Sequence, residues 1–372
     1  MEILLTVVAG FLLAYANGAN DNFKGVATLA GSATTTYRRA LTWATITTLL
    51  GSCTALFVAQ GLLAAFSGKG LVSAELAGMP AFTMSVGLAA GATVLTATRF
   101  GWPISTTHAL VGGLIGAGLV SSPDGIDTAK LGRGFLLPLL TSPIMALVAA
   151  FLLYPVARYL RRTFKVERET CVCIEETTVA LPTLAASGAA SVAVDPAIAT
   201  PSVHVSDRTS CQVRYKGKVL GIDAGPTLDY AHFLSAGVVS FARGLNDTPK
   251  IAALLLVGEA LAPNSALIGV AIAIAIGGLT AARRVARTMA TEITEMNPGQ
   301  GFTANMITGL LVVGASKLGV PVSTTHVSCG SLFGIGAVTG QGHWGMIRNI
   351  LLAWLVTLPI AAGIGALVAS MS

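Results

Sequence analysis

Pro103-Ile104-Ser105-Thr106-Thr107-His108 returns, with one residue changed, as Pro321-Val322-Ser323-Thr324-Thr325-His326. A second pattern is also written twice: Gly18-Ala19-Asn20-Asp21 and Gly244-Leu245-Asn246-Asp247. The offsets are 323 − 105 = 218 and 247 − 21 = 226 residues, and Pro143-Ile144 matches Pro359-Ile360 at 359 − 143 = 216. Three motifs in one order, with little drift in offset, mark an internal duplication. Polar motifs placed twice in an apolar chain point to a substrate site between two structural repeats of a membrane protein.

The composition around these motifs agrees. Hydrophobic residues make up 53% of the 372 residues and charged residues only 11%. A soluble domain carries about 25% charged residues, and here the mean hydropathy is +0.74. A membrane crossing needs about 20 mainly apolar residues. Stretches 1–16, 40–66, 80–98, 112–120 and 135–157 qualify or nearly qualify, as do 228–239, 251–257, 265–282, 303–315, 330–338 and 347–370. Several are short and interrupted by glycine, which predicts broken helices or re-entrant hairpins. The expected fold is an all-α integral membrane protein of two inverted repeats with about 10–12 membrane segments.

Three regions follow: a first repeat over 1–160, a polar linker over 161–227 and a second repeat over 228–372. The linker begins with Arg161, Arg162, Lys165 and Arg168 and continues through an Ala/Ser/Thr/Pro-rich stretch to Arg214, Lys216 and Lys218. Its composition predicts partial disorder, with a short hairpin over 212–222. Glu2 is the only early charge, so the N-terminal apolar run reads as a retained helix rather than a signal peptide.

Positive charge sets orientation. Arg38-Arg39, Arg99 and the basic run from Arg158 fall on one side if the first half crosses five times, and that side is the cytoplasm. In the second half the loop 258–264 has no Lys or Arg, whereas the next loop holds Arg283, Arg284 and Arg287. The second copy is therefore inverted, with both termini extracytoplasmic and the linker cytoplasmic, in the cell (inner) membrane. Lys69, Lys130, Arg133 and Lys317 weaken this bias without reversing it. Basic residues at span ends account for the net charge of +6, so nucleic acid is not implied. Of five cysteines, Cys53 and Cys329 read as packing residues. Cys171, Cys173 and Cys211 lie in the linker and supply too few ligands for a convincing metal site. No cofactor is expected.

Asp21 and Asp247 carry the first chemical signal. An ionised Asp facing lipid costs about 2.5–3.5 kcal/mol, so each should face a wet or protein-lined space. There it can ligate a cation, exchange a proton or orient a substrate; a satisfied helix cap is the alternative. The Ser-Thr-Thr-His segments follow a proline and precede glycine-rich helices. Ser105, Thr106, Thr107, Ser323, Thr324 and Thr325, with free N–H groups at a helix start, suit a tetrahedral oxyanion. Simple N-capping is the alternative there. Downstream glycines, among them Gly112, Gly116, Gly330 and Gly334, permit close helix packing. His108 and His326 are open to a site-lining role or to proton handling, and the motif is not a nucleophile elbow. No catalytic residue is assigned.

These residues resemble those of the inorganic phosphate transporter (PiT) family. The resemblance covers both membrane halves, including Arg283-Arg284-Val285 and Asn297-Pro298-Gly299-Gln300-Gly301-Phe302, but not the linker. It implies an inverted-repeat transporter with phosphate bound near mid-membrane and a cation as driver. It places cation coupling on Asn20, Asp21, Asn246 and Asp247, and phosphate on the Ser-Thr-Thr segments. Lys24 and Lys250 depart from it, since many sodium-coupled relatives have Asn there; a fixed ammonium can compete with sodium or contact phosphate. Thr45–Leu50 departs as well, with only Thr as a polar residue type where some relatives have Glu.

The expected function is phosphate transport coupled to a proton or sodium. Phosphate still carries a proton near neutral pH and can donate to an ionised Asp, whereas sulfate only accepts. A sulfate or other oxyanion permease is the first alternative; an anion channel and a membrane phosphatase follow. Expected partners are phosphate, the coupling cation and the bilayer, with oligomeric state, a homodimer included, left open.

Overall fold

The structure is a computed structural model that describes residues 2–122, 125–166, 170–179, 198–207, 221–256 and 261–372. The first half supplies α1 (Glu2–Asp21), α2 (Tyr37–Val58), α3 (Pro80–Phe100), α4 (Thr106–Ser121) and α5 (Leu137–Thr163). The second supplies α6 (Ala224–Leu255), α7 (Pro263–Ala281), α8 (Pro298–Lys317), α9 (Thr324–Thr339) and α10 (Trp344–Ser370). Among the described residues, six helices are long and apolar enough to cross a membrane. Exposed Leu140, Ile144 and Met145 on α5, with Leu352, Leu355 and Leu367 on α10, give these helices a face suited to lipid.

The chain divides into two compact units, 1–156 with 231–372, and 157–230. The second contains a three-stranded antiparallel sheet in the order β2-β1-β3, built from β1 (Thr170–Val179), β2 (Ile198–Asp207) and β3 (Gly221–Asp223). Cys173 pairs with His204 across β1 and β2, and Val172 with Ile222 across β1 and β3. The linker is thus not irregular throughout. The Ala/Ser-rich stretch 180–197, Cys211 and all but the end of the expected hairpin at 212–222 lie outside the described residues.

Two expected segments are redrawn. The stretch 40–66 breaks at Ala59, which separates α2 from a short helix, Gln60–Phe66. The stretch 228–239 and the part of 251–257 up to Leu255 join in one helix, α6, which runs through Pro249, and Val257 lies outside the described residues. A proline inside a helix removes one hydrogen bond and crowds the preceding turn. Even so, the break near an Asn-Asp motif falls in the other copy. There α1 ends at Asp21 and a 3-10 turn, Lys24–Val26, leads to a short helix, Ala27–Gly31.

Glycines show how the halves interlock. A Cβ on Gly18 of α1 would strike the Ile274 carbonyl of α7, and one on Gly277 of α7 would strike that of Tyr15. A Cβ on Gly244 of α6 would strike the Thr48 carbonyl of α2, and one on Gly51 of α2 would strike that of Phe241. Gly18 and Gly244, Tyr15 and Phe241, Thr48 and Ile274, and Gly51 and Gly277 are all separated by the same 226 residues as the two aspartates. The duplication written in the sequence is therefore repeated in the packing. The fourth and fifth helices follow suit. Gly112 and Gly116 of α4 lie against Leu358 and Ala362 of α10, while Gly330 and Gly334 of α9 lie against Pro143 and Leu147 of α5. Each half's motif helix packs on the other half's last helix, which holds the two Ser-Thr-Thr-His segments together.

Candidate functional site

The two motif helices start alike. Ser105 caps α4 by accepting from the His108 N–H at 3.0 Å, and Ser323 caps α9 by accepting from the His326 N–H at 3.2 Å. Capping uses one acceptor position of each serine and leaves its O–H free to donate. The Pro103-Ile104 and Pro321-Val322 stretches before the caps are not helical, so the carbonyls of Ile104 and Val322 are available to side chains.

Lys24 Nζ donates to the Asn20 amide oxygen at 2.7 Å, to the Ile104 carbonyl at 2.7 Å and to Thr325 Oγ1 at 2.8 Å, and it also donates to the Asp21 carboxylate. Lys250 Nζ donates to the Val322 carbonyl at 2.6 Å and to Thr107 Oγ1 at 3.0 Å. It lies 3.7 Å from Asp247 and over the Phe66 ring. Each lysine thus takes the carbonyl before its own half's serine and the second threonine of the other half's motif.

The carboxylates are held differently. Thr106 donates to Asp21 Oδ2 at 2.9 Å. Asp247 Oδ1 instead accepts from the neighbouring Asn246 at 2.8 Å, and Asn246 also reaches Thr324 and the Val322 carbonyl, each at 3.2 Å. Asn20 ties α1 to α3 through Thr98 at 2.9 Å. All eight residues expected to touch substrate and all four expected to serve cation coupling are buried in this one cluster.

Two members were not anticipated. Asn17 lies one turn before Asp21, and its amide reaches Asp21 at 2.9 Å, Thr106 at 3.1 Å and Asp247 at 3.3 Å. Arg243 holds the equivalent place before Asp247. It donates to Asn17 and Asn22 at 2.9 Å each and to Thr48 at 3.3 Å, while its Nε sits 3.8 Å from Asp247. That Nε has no hydrogen-bond partner among the described residues. Basic residues are therefore not confined to span ends: Lys24, Arg243 and Lys250 are 3%, 1% and 1% exposed. The signal was available, because a cation within an apolar helix is costly and marks a functional place by default.

The buried carboxylates and cations among the described residues are Asp21 and Asp247 against Lys24, Arg243 and Lys250. Three positive charges less two negative leave one positive charge in excess. Hydroxyls, side-chain amides and two helix N-termini surround that excess, an arrangement suited to an anion. Thr45, from the stretch that lacks the expected Glu, accepts from Asn22 at 2.9 Å and so buttresses the Arg243 contacts.

The histidines sit to one side. The His108 and His326 rings lie 4.3 Å apart, and His326 stacks on Trp354 at 3.8 Å. Trp354 in turn donates to the Pro103 carbonyl at 3.1 Å. Nδ1 of His108 and Nε2 of His326 have no hydrogen-bond partner among the described residues.

Phe23, between Asn22 and Lys24 in the chain, leads outward. It stacks on Tyr37 at 4.8 Å and lines a cavity of about 650 Å³ with Tyr37, Arg38, Arg283 and Arg287. The Asn297-to-Phe302 motif has a different task. Asn297 and Gln300 form a reciprocal cap on α8, and Gln300 reaches Tyr154 at 3.2 Å.

Comparison with known proteins identifies the family and the fold. A model of the "Phosphate transporter family" matches residues 17–365. The chloroplastic inorganic phosphate transporter 2-1 of Arabidopsis thaliana is 29% identical, over 96% of this chain and 70% of its own length. A protein bearing the name phosphate permease in Pyrococcus horikoshii is 28% identical, over 98% of this chain and 96% of its own. The solved structure of a sodium-dependent phosphate transporter shares the fold, with TM-score 0.75 at 21% identity over 100% of this chain and 98% of that one.

Proposed function

Since this chain belongs to the phosphate transporter family, we propose that it is a secondary transporter carrying inorganic phosphate across the membrane with a cation, by alternating access between two inverted repeats. The observation that carries this reading is a buried cluster, drawn from both halves, of three basic side chains against two carboxylates, a formal excess of one positive charge. An anion there offsets the cost of that charge. Arg243 supplies the guanidinium, whose planar fork suits an oxyanion. The O–H groups of Ser105 and Ser323 and the N–H groups at the starts of α4 and α9 complete the donors. Asp21 and Asp247 accept the proton of a protonated phosphate, a role that sulfate cannot meet.

The inverted arrangement is supported by one contact. Arg38 follows α1 of the first half, and Arg283 and Arg287 follow α7 of the second, yet they line one cavity. Loops of opposite rank on one side are the arrangement expected when one half is upside down. Direct contacts such as Lys24 to Thr325 and Lys250 to Thr107 join the halves through the site. Rocking one half against the other would break and remake these contacts, which gives alternating access a structural basis.

The test is uptake of labelled phosphate by the purified chain in liposomes, under sodium and proton gradients imposed separately. Accumulation above equilibrium, competed weakly by sulfate, is the expected outcome. Flux that stops at equilibrium under every gradient would make the protein a channel, and preferential sulfate uptake would change the substrate.

A further inference from the structure

We propose that the ammonium groups of Lys24 and Lys250 are tethered cations filling the oxygen shells that a free sodium ion would occupy, so that this chain binds phosphate without sodium. This inference rests on the phosphate reading above and concerns which cation the site already contains.

The shell of Lys24 carries the inference. Four oxygens meet one ammonium: the Asn20 amide and the Ile104 carbonyl at 2.7 Å, the Thr325 hydroxyl at 2.8 Å, and the Asp21 carboxylate. Carboxylate, amide, hydroxyl and non-helical peptide carbonyl are the oxygen types that hold a dehydrated monovalent cation in a transporter core. An ammonium has only three N–H donors, so these oxygens already exceed its hydrogen-bonding capacity. A sodium ion entering the same shell would bring a second positive charge among the same oxygens.

Lys250 repeats part of the arrangement: it donates to the Val322 carbonyl at 2.6 Å and to Thr107 at 3.0 Å, with the Asp247 carboxylate an ion-pair partner at 3.7 Å rather than a hydrogen-bond acceptor. Ile104 and Val322 are equivalent by position, as are Thr107 and Thr325. The two ammonium groups therefore share the carbonyl and the cross-half hydroxyl contact. Both close a bridge between the Asn-Asp helix and the partner motif.

The charge count agrees. Lys24 and Lys250 balance Asp21 and Asp247, and Arg243 remains as the excess. One monovalent phosphate, H2PO4−, brings the cluster to neutrality with no added ion. A sodium ion in addition would restore the buried positive charge that the anion removes.

Equilibrium binding of radiolabelled phosphate to the purified full chain, at fixed pH in sodium chloride or choline chloride of equal concentration, tests the inference. The apparent Kd should agree between the salts to within about twofold. Binding at least about tenfold tighter in sodium would overturn the inference and leave the phosphate reading standing. No phosphate binding in either salt would overturn the phosphate reading, and this inference with it. Lys24→Gln supplies a second arm by emptying one shell while keeping its oxygens. Its binding should weaken by at least about tenfold in choline and recover in sodium. Parental affinity of Lys24→Gln in choline would show that the ammonium is not the cation the site needs. The parent's comparison between salts decides the matter if the variant does not fold.

Discussion

At the scale of single residues, the informative difference between the halves is Asn17 against Arg243. Both precede the motif aspartate by four residues, which sets them one turn away on the same helix face. One is neutral and the other charged, so the duplicated site is electrostatically one-sided. Arg243→Asn would give both halves the same residue and remove the excess charge. Losing one partner of a buried, hydrogen-bonded charge cluster costs about 2–5 kcal/mol, so phosphate affinity should fall by thirtyfold or more, on the order expected from that cost. Arg243→Lys keeps the charge without the fork and should lie between. Phosphate binding to detergent-purified variants checks this, and parental affinity in Arg243→Asn would remove the arginine from the site. The aspartates, lysines and Ser-Thr-Thr hydroxyls were legible because they occur twice. Asn17 and Arg243 are not marked by repetition, because duplication marks what the halves share and these residues matter because they differ; Arg243 is marked only by its charge within an apolar helix.

At the scale of elements, the site depends on how closely α4 can approach α10. Gly116 lies where any Cβ would overlap the Ala362 carbonyl, whereas Gly363, on the same α10, has open space. A side chain forced into a packed helix contact costs about 1–3 kcal/mol, and more where backbone must move. Gly116→Val should therefore lower the apparent Tm of the purified protein and displace Thr106 and Thr107 at the start of the same helix. Gly363→Ala should not lower Tm and should raise it slightly if anything, since its Cβ meets open space and Ala is favoured over Gly within a helix by about 0.5–1 kcal/mol. Equal Tm for Gly116→Val and the parent would mean that the helices can separate without loss. The glycine rows on α4 and α9 announce close packing in the sequence itself, but they do not name their partners. Which helix lies opposite is a long-range property, and local pattern does not carry it. The break in the Asn-Asp helix was misplaced for a related reason. The stretches 228–239 and 251–257 read as separate segments, yet α6 runs on through Pro249, and the chain leaves its helix instead at the proline-free turn after Asp21.

At the scale of the whole molecule, duplication and apolar composition together made an α-helical membrane fold legible, while the sheet within 170–223 was not. Its strands are short β-branched runs inside an Ala/Ser/Thr/Pro-rich linker, a composition that reads as disorder. Charge bias also predicts how phosphate meets the protein on one side. Arg38, Arg283 and Arg287 line the cavity beside Phe23, and all three are exposed. Clustered charge of one sign raises the local concentration of an anion by about tenfold or more, an effect that salt screens. Reversing two of the three charges with Arg283→Glu/Arg287→Glu should raise the apparent KM for phosphate from that side by about threefold to tenfold. The maximal rate should hold, because neither residue touches the buried cluster. The KM difference should shrink as ionic strength rises and the Debye length falls below about 10 Å. Vesicles of opposite orientation separate the two faces: the change should appear only when phosphate is offered from one of them. A KM shift of equal size from both sides would mean that the substitutions disturb the central site itself, and no shift from either would leave the basic cavity outside the phosphate path.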